Sequence, residues 1–302
     1  MIRPATLQTG DSVGIVATGR KVSPDDIQHA LVTLESWGLT IIQAPHLYSN
    51  EHPYLAASDD HRFQDLQHMI DDPHIKAIFC ARGGYGTTRI LDRVDFSPVL
   101  TQPKWIVGFS DVTAIHLRLA RLGVQSLHAT MPLLFSHRDA SASVASLKQI
   151  LFGGSTEITT KSSPHNIHGH AGGQVVGGNL SLVVDSLSTS NEPQFEGSIL
   201  FLEETDEYSY KFDRMMTHLS RAGKLAVLTG LIIGHITSPH ETSLPFGEST
   251  SDIVHRLVRA YNYPVAFDIP SGHENPNLAW VHGASMSLSV NESGVILSEF
   301  GN

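Results

Sequence analysis

The chain has 302 residues, 41% of them hydrophobic, and 30 acidic against 20 basic side chains give a formal charge of -10. This length and composition predict a folded protein of about two domains and exclude nucleic acid as an expected partner. The sequence has no apolar run that would span a membrane, no signal-peptide order at its start, and a single cysteine, Cys80, so we expect a cytoplasmic protein without internal disulfides or membrane contact.

Strand-like and helix-like segments alternate from Ser12 to about residue 135. Short apolar runs predict strands at 12–18, 39–45, 75–81 and 104–109. Amphipathic stretches predict helices at 24–37, 58–70, 87–92 and 111–121. This alternation is typical of a parallel sheet whose ligands bind at the carboxyl ends of the strands. The predicted fold class is α/β, beginning with an N-terminal Rossmann-like parallel sheet domain that has helices on both faces.

The pattern changes between about residues 139 and 173, where a helix-like stretch is followed by polar residues, proline and glycine, which indicate a linker or a peripheral pair of strands. Beyond it we predict strands at 197–205, 228–236 and 264–270, helices at 208–222 and 249–260, and a hairpin at 285–300. We therefore predict an N-terminal domain over residues 1–140, a linker over 141–168, and a smaller strand-rich mixed α/β domain over 169–302.

A serine lies where a predicted strand meets a predicted helix, in the segment "WIVGFSDVTAIHLRL" at residues 105–119. Ser110 follows Gly108 by two residues, as in the sharp turns that expose a nucleophilic hydroxyl and free the next backbone N–H for an oxyanion. The usual pattern has a second glycine where this chain has Val112. The alternative is that Ser110, or Asp111, only caps the helix that follows.

A second loop at a strand end is rich in glycine. The segment "CARGGYGTTRIL", residues 80–91, contains Gly83, Gly84 and Gly86. Such a loop can present N–H groups to a phosphate or an oxyanion, although the segment matches neither a P-loop nor a dinucleotide fingerprint. The alternative is a tight turn that needs positive φ angles. Two such loops at successive strand ends indicate a single crevice.

A serine nucleophile needs a base and a group that orients the base. The second half of the chain offers His273, in a loop after a predicted strand, and two adjacent carboxylates at the end of another strand, Glu203 and Glu204. Each has a plainer interpretation, because the chain has 18 histidines and a carboxylate at a strand end is often only solvated.

Six segments, in this order, resemble the LD-carboxypeptidases, serine peptidases that remove the terminal D-alanine from murein tetrapeptides and include the microcin-C resistance peptidases. They are "LQTGDSVGIVAT", "YLAASDDHRFQDLQHMIDDPHIKAIFCARGGYGTTRIL", "PKWIVGFSDVTAIHL", "GGNLSL", "ILFLEETDEYSYKFDRMMTHL" and "GHENPNLAWVHG". The resemblance runs from about residue 7 to residue 284.

This resemblance implies a catalytic triad, formed by Ser110 as nucleophile, His273 as base and Glu203 as orienting carboxylate. It implies an oxyanion hole made by the backbone N–H groups of Gly84 and Asp111. It also implies a site between the two domains, a homodimer, and neither a metal nor an organic cofactor. The implied reaction releases D-alanine through an acyl-enzyme, and the sequence leaves open whether lysine or diaminopimelate precedes the scissile bond.

The chain departs from the family pattern in three segments: Ala17-Thr18-Gly19, His128-Ala129-Thr130 and Trp280-Val281-His282-Gly283. None contains a residue of the implied triad, but all could line the pocket and change the substrate. A peptidase of the same family that cleaves peptidyl or aminoacyl nucleotides is therefore an alternative, in which Trp280 would stack on a base.

Two alternatives lie outside this family. One is a sugar- or nucleotide-binding module that uses the glycine loop for phosphate and performs no chemistry. The other is a metal hydrolase, suggested by three histidines in the polar stretch, His165, His168 and His170. Their spacing lacks the helical arrangement of zinc peptidases, and we expect a solvated loop there.

A carboxypeptidase must also bind a free terminal carboxylate, which requires a cation or several N–H donors. Arg82, beside the glycine loop, is a candidate, with a structural role as the alternative. Lys104 begins a predicted strand and is expected to be exposed. A helical stripe in the second half is expected to pack on the sheet: Tyr210, Phe212, Met215, Met216 and Leu219.

Overall fold

A computed structural model describes residues 1–300 of the chain. The strands of the first half are β1 (Ser12–Val16), β2 (Thr40–Gln43), β3 (Ile75–Cys80), β4 (Trp105–Gly108) and β5 (Ser126–His128). The helices of the first half are α1 (Pro24–Ser36), α2 (Asp59–Asp71), α3 (Thr87–Leu91), α4 (Pro98–Thr101) and α5 (Thr113–Arg121). Helices and strands alternate because apolar runs of strand length alternate with amphipathic stretches of helical period.

The second half begins with helix α6 (Ser141–Leu151). Its strands are β6 (Glu157–Thr160), β7 (Gly169–Asn179), β8 (Ile199–Thr205), β9 (Gly230–Thr237), β10 (Val265–Ala266), β11 (Trp280–His282), β12 (Ser285–Asn291) and β13 (Gly294–Glu299). Its other helices are α7 (Leu180–Asp185), α8 (Ser209–Arg221) and α9 (Thr250–Val258).

The strands form two mixed sheets. The first has the order β11-β5-β4-β3-β1-β2, in which β1 to β5 are parallel and β11 is antiparallel to β5. The second has the order β10-β9-β8-β7-β12-β13-β6, in which β7 to β10 are parallel and the last three strands are antiparallel. The predicted α/β fold class and the hairpin of β12 and β13 are thus confirmed.

Strand β11 connects the two sheets. It pairs with β5 in the first sheet, although it comes from the second half of the chain. Immediately after it, the chain turns at Gly283, which has a φ of 84°, and Gly283 and Ala284 exchange backbone hydrogen bonds with Val175 of β7. The chain then continues into β12 of the second sheet. Strands β5 and β11 were not predicted, because three residues are too short to show a strand period.

Residues 141–168, predicted as a linker, contain α6 and β6, and the division into domains stays a prediction. Lys104, expected at the surface, is buried, and this expectation was wrong. Its ammonium group donates a hydrogen bond of 2.9 Å to the carbonyl of Met69, near the end of α2. Burial lowers the pKa of Lys104 to about 8. Within residues 1–300, no helix is both long and apolar enough to cross a membrane.

Helix α1 begins at a complete capping box. The hydroxyl of Ser23 accepts the N–H of Asp26, and the carboxylate of Asp26 accepts the N–H of Ser23 at 2.7 Å. Pro24 occupies the first turn, where its missing N–H costs no hydrogen bond. These contacts fix the chain just after β1, beside the glycine loop.

Helix α8 presents the predicted apolar stripe to the second sheet. Phe212, Met216 and Leu219 are buried, whereas Tyr210 and Met215 are only half-buried. Because Met216 has no exposed surface, we expect Met216→Ala to lower the free energy of unfolding by about 2–5 kcal/mol through lost burial and a cavity. Met215→Ala is the matched control, with an expected loss of about 1 kcal/mol. Urea denaturation measures both, and equal losses would contradict the packing described here.

Candidate active site

Ser110 lies in a strained turn at the carboxyl end of β4. Its φ is 62°, in the left-handed region that residues with a side chain seldom adopt. A turn of 3-10 helix, Ser110–Val112, follows and leads into α5. Gly108 is required before the turn, because a Cβ there would lie 2.8 Å from Cγ2 of Val112. The turn therefore projects the hydroxyl from a rigid backbone, as predicted for a nucleophile.

The glycine loop after β3 packs directly against this turn. A Cβ on Gly83 would lie 3.0 Å from Cβ of Ser110 and 3.4 Å from the backbone N of Asp111. The carboxylate of Asp111 is buried and accepts the N–H of Thr87 at 3.0 Å, which ties the turn to the start of α3. Burial raises the pKa of Asp111. The two loops that the sequence placed at one crevice are therefore in contact.

Two buried side chains, Arg62 and His116, stabilise the backbone around the site. The guanidinium of Arg62, from α2, donates hydrogen bonds to two carbonyls. One is that of Thr18, in the loop after β1, and the other is that of Gly86, in the glycine loop after β3. The imidazole of His116, from α5, is 2.9 Å from the carbonyl of Gly108 and 2.8 Å from the hydroxyl of Ser126. Burial lowers the pKa of His116 to about 4, so the ring is neutral near neutral pH. Neither role was predicted from the sequence.

Two backbone N–H groups near Ser110 are free to donate. Neither the N–H of Gly84 nor that of Asp111 has a hydrogen-bond partner within residues 1–300. Gly84 has a φ of 105°, which strongly favours glycine. Gly83, which precedes Gly84 in the chain, is the residue that packs against Ser110. Free N–H groups beside a hydroxyl form a suitable environment for an oxyanion.

His273 bridges Ser110 and Glu203. Its Nδ1 lies 2.6 Å from Oε2 of Glu203, and its Nε2 lies 3.1 Å from Oγ of Ser110. A carboxylate oxygen accepts a hydrogen bond, so Nδ1 carries the proton and Nε2 accepts from the hydroxyl. The structure thus brings together the three side chains of the expected triad, from the turn after β4, from β8 and from the loop before β11.

The electrostatics of His273 are set by opposing effects. Burial alone would lower the pKa of His273, but the charge of Glu203 and its hydrogen bond raise it, and the result is a pKa above the usual 6.5. The ring of Phe109 packs edge-on against His273, with ring centres 4.9 Å apart. The imidazole is therefore held in one orientation and is suited to accept a proton.

Strand alternation separates Glu203 from Glu204. Both are buried in β8, but their side chains have different partners. The carboxylate of Glu204 accepts from the amide of Asn179 at 2.9 Å and from the hydroxyl of Ser181 at 2.6 Å, at the start of α7. Burial raises the pKa of Glu204. Only Glu203 contacts His273, and its Oε1 is buried without a hydrogen-bond partner within residues 1–300.

The loop that carries His273 is fixed by Asn277. The side-chain oxygen of Asn277 accepts the N–H of Gly272 at 3.0 Å, and the N–H of Asn277 donates to the hydroxyl of Ser143, on α6, at 2.8 Å. Gly272 allows the loop to lie close to Glu203, because a Cβ on Gly272 would be 3.3 Å from Oε2 of Glu203. The position of His273 therefore depends on a helix within the segment predicted as a linker.

The segments that depart from the family pattern near β5 and β11 lie in the core. Trp280 has no exposed surface, and its ring packs on His128 and Phe201 at 4.9 and 4.8 Å. Trp280 is thus unable to stack on a ligand without rearrangement. No group of three or more His, Cys, Asp or Glu side chains that could hold a metal ion occurs in the described part of the chain.

Known proteins resemble this chain over most of its length. A model of the LD-carboxypeptidase N-terminal domain matches residues 13–129, and one of the C-terminal domain matches residues 172–288. A probable murein peptide carboxypeptidase from Bacillus subtilis is 32% identical over 98% of this chain and 94% of its own length.

Solved structures share the fold. The crystal structure of muramoyltetrapeptide carboxypeptidase from Oxalobacter formigenes superposes with a TM-score of 0.87 at 24% identity, covering 96% of this chain and 99% of that one. The microcin C7 self immunity protein MccF, in complex with aspartyl sulfamoyl adenosine, superposes with a TM-score of 0.86 at 17% identity over 99% of both chains.

The strained turn and the bridge to His273 predict a reactive serine. We expect a fluorophosphonate to label Ser110 and Ser110→Ala to abolish the labelling, as measured by mass spectrometry of the digested protein. Ser97→Ala, at an exposed position, is the matched control and should label like the wild type. Equal labelling of the Ser110→Ala protein would show that Ser110 is not the reactive group.

Proposed function

Because the chain belongs to the LD-carboxypeptidase family, we propose that this enzyme hydrolyses the L,D-peptide bond that holds the terminal D-alanine of a murein tetrapeptide. The observation that carries the proposal is the bridge of His273 between Ser110 and Glu203. The names of the relative from Bacillus subtilis and of the enzyme from Oxalobacter formigenes support a murein peptide as the substrate.

In the proposed first step, Oγ of Ser110 bonds to the scissile carbonyl carbon while Nε2 of His273 takes the hydroxyl proton. Glu203 stabilises the positive imidazole, and the carbonyl oxygen becomes an oxyanion that accepts the N–H groups of Gly84 and Asp111. The C–N bond then breaks, His273 gives its proton to the leaving nitrogen, and D-alanine departs. An ester between Ser110 and the shortened peptide remains.

In the proposed second step, water attacks this ester. His273 takes one proton from the water, the new oxyanion uses the same two N–H groups, and the C–O bond to Ser110 breaks. Ser110 recovers its proton from His273, and the shortened peptide leaves as a carboxylic acid that releases its proton to solvent. No metal or organic cofactor is needed for either step.

We also propose the arrangement of this site within the whole protein. Ser110 would come from an N-terminal domain over residues 1–140, and Glu203 and His273 from a C-terminal domain over residues 169–302. Cytoplasmic location and a homodimer are proposed from the family resemblance. Cleavage of peptidyl or aminoacyl nucleotides is the less supported alternative, because Trp280 is buried in the core.

The triad proposal is tested on an L,D-tetrapeptide by measuring released D-alanine. We expect Ser110→Ala and His273→Ala to lower kcat by about 10⁶-fold and Glu203→Gln by about 10⁴-fold, as in comparable triads. Glu204→Gln is the matched control. It makes the same change at the neighbouring buried carboxylate, which does not contact His273. Near-normal turnover by Glu203→Gln would contradict the assignment and indicate that Glu204 is the orienting carboxylate.

The pH dependence follows from the raised pKa of His273. The base must be neutral, so kcat/KM should fall as the pH falls through a midpoint above 6.5. Glu203→Gln removes the charge that opposes burial, so its residual activity should show a midpoint at lower pH than the wild type. Rates of the two proteins between pH 5 and 9 measure both midpoints, and identical midpoints would contradict the coupling.

A further inference from the structure

A positively charged cavity of about 400 Å³ lies beside the glycine loop. Three cationic side chains line it, Arg20, Lys21 and Arg82, together with two aromatic rings, Tyr48 and Tyr54. The only carboxylate in its lining is that of Asp26, which accepts the N–H of Ser23 in the capping box of α1. The cavity therefore has an excess of positive charge in a chain whose formal charge is -10.

The two arginines of this cavity are linked to the nucleophile through the glycine loop. Arg82 directly precedes Gly83, the residue that packs against Ser110. The N–H of Arg20 donates to the carbonyl of Gly83 at 3.2 Å. The side chain of Arg20 lies so close to Gly84 that no Cβ would fit there. Both arginines thus extend from the loops that hold Ser110.

The two guanidinium groups lack carboxylate partners. The Nη1 of Arg82 donates to the carbonyl of Lys21 at 3.1 Å, and the guanidinium of Arg20 stacks on the ring of Tyr54, 4.7 Å from its centre. Within residues 1–300, neither arginine forms a salt bridge. In contrast, other arginines are paired, such as Arg89 with Asp59 at 2.8 Å and Arg93 with Asp60 at 2.7 Å.

The positive charges of Arg20 and Arg82 also repel each other. Both side chains are half-buried. Burial lowers the pKa of Arg82, the charge of Arg20 lowers it further, and the charge of Asp26 offsets only part of this effect. Two like charges that are partly removed from water are stabilised further when an anion binds to both. A planar guanidinium matches a carboxylate especially well, because it can donate two parallel hydrogen bonds.

We propose that Arg20 and Arg82 form a subsite that binds a carboxylate of the substrate peptide while the scissile bond lies at Ser110. The inference rests on the proposed function and adds a determinant of specificity to it. The arginines act by positioning the substrate and take no part in bond making. The bound group is either the carboxylate of the terminal D-alanine or a carboxylate nearer the start of the peptide, and the test below distinguishes the two.

The test compares steady-state kinetics of the wild type with those of Arg20→Gln, Arg82→Gln and Arg82→Lys. The substrates are the tetrapeptide, the same peptide amidated at its terminal carboxylate, and the same peptide amidated at its other carboxylates. On the unmodified peptide, each Gln variant should lose about 10- to 100-fold in kcat/KM, mainly through KM, as expected for a charged hydrogen bond. Arg82→Lys should retain part of this activity because it keeps the charge.

Substrate amidation identifies the bound carboxylate. When that group is amidated, the wild type should lose the same factor, and the Gln variants should lose little more. Arg93→Gln is the matched control, because Arg93 also lies 4.7 Å from the centre of an aromatic ring, that of Phe63, but does not line the cavity. It should behave like the wild type on every peptide.

Two results would overturn the subsite while leaving the proposed function intact: wild-type kinetics in both Gln variants, or the same loss on all three peptides. Absence of D-alanine release by the wild type would overturn the proposed function and the subsite with it. Thermal unfolding of each variant verifies that it is folded. If Arg82→Gln fails to fold, Arg20→Gln and Arg82→Lys still decide the result.

Discussion

The site depends on holding one imidazole between two sheets. His273 is 163 residues from Ser110 and 70 residues from Glu203 along the chain, yet it lies within hydrogen-bonding distance of both. Ser110 is fixed at the end of β4 and Glu203 near the end of β8, so the distance between the sheets must be constant. Strand β11 supplies this constraint: it pairs with the first sheet seven residues after His273, and the chain then turns at Gly283 to pair with the second sheet.

Close packing around α5 and β7 adds to the same constraint. The hydroxyl of Thr113, in the first turn of α5, accepts the N–H of Asn179 at 3.0 Å. A Cβ on Gly178 would lie 2.5 Å from that hydroxyl, so a side chain there would separate the helix from the strand. The helix that follows the nucleophile thus rests on the sheet that carries Glu203. Such contacts support the strained φ of Ser110, which the surrounding structure must stabilise.

The sequence predicted those features that have a periodic or local signal. Alternating apolar runs predicted strands β1 to β4 and four of the five helices of the first half, but neither the short helix α4 nor the short strand β5. The turn geometry around Ser110 followed from Gly108 and the flanking elements. His273 and Glu203 were singled out by resemblance, since no local pattern distinguishes them from other histidines and strand-end carboxylates. The burial of Lys104 and Trp280 was not predictable from their neighbours. Lys104 is buried against the end of α2, and Trp280 lies in a three-residue strand whose partner is 152 residues earlier.

The passage of β11 from the second half into the first sheet also limits how this protein can be divided. A fragment that ended before residue 280 would leave the backbone groups of β5 unpaired at the sheet edge, where they invite pairing with other chains. The reciprocal fragment would expose the side chains of β11 that are now buried. Two family models match the two halves separately, but strand β11 of the second half completes the sheet of the first half. Co-expression of both halves would therefore be the appropriate way to reconstitute the molecule from fragments.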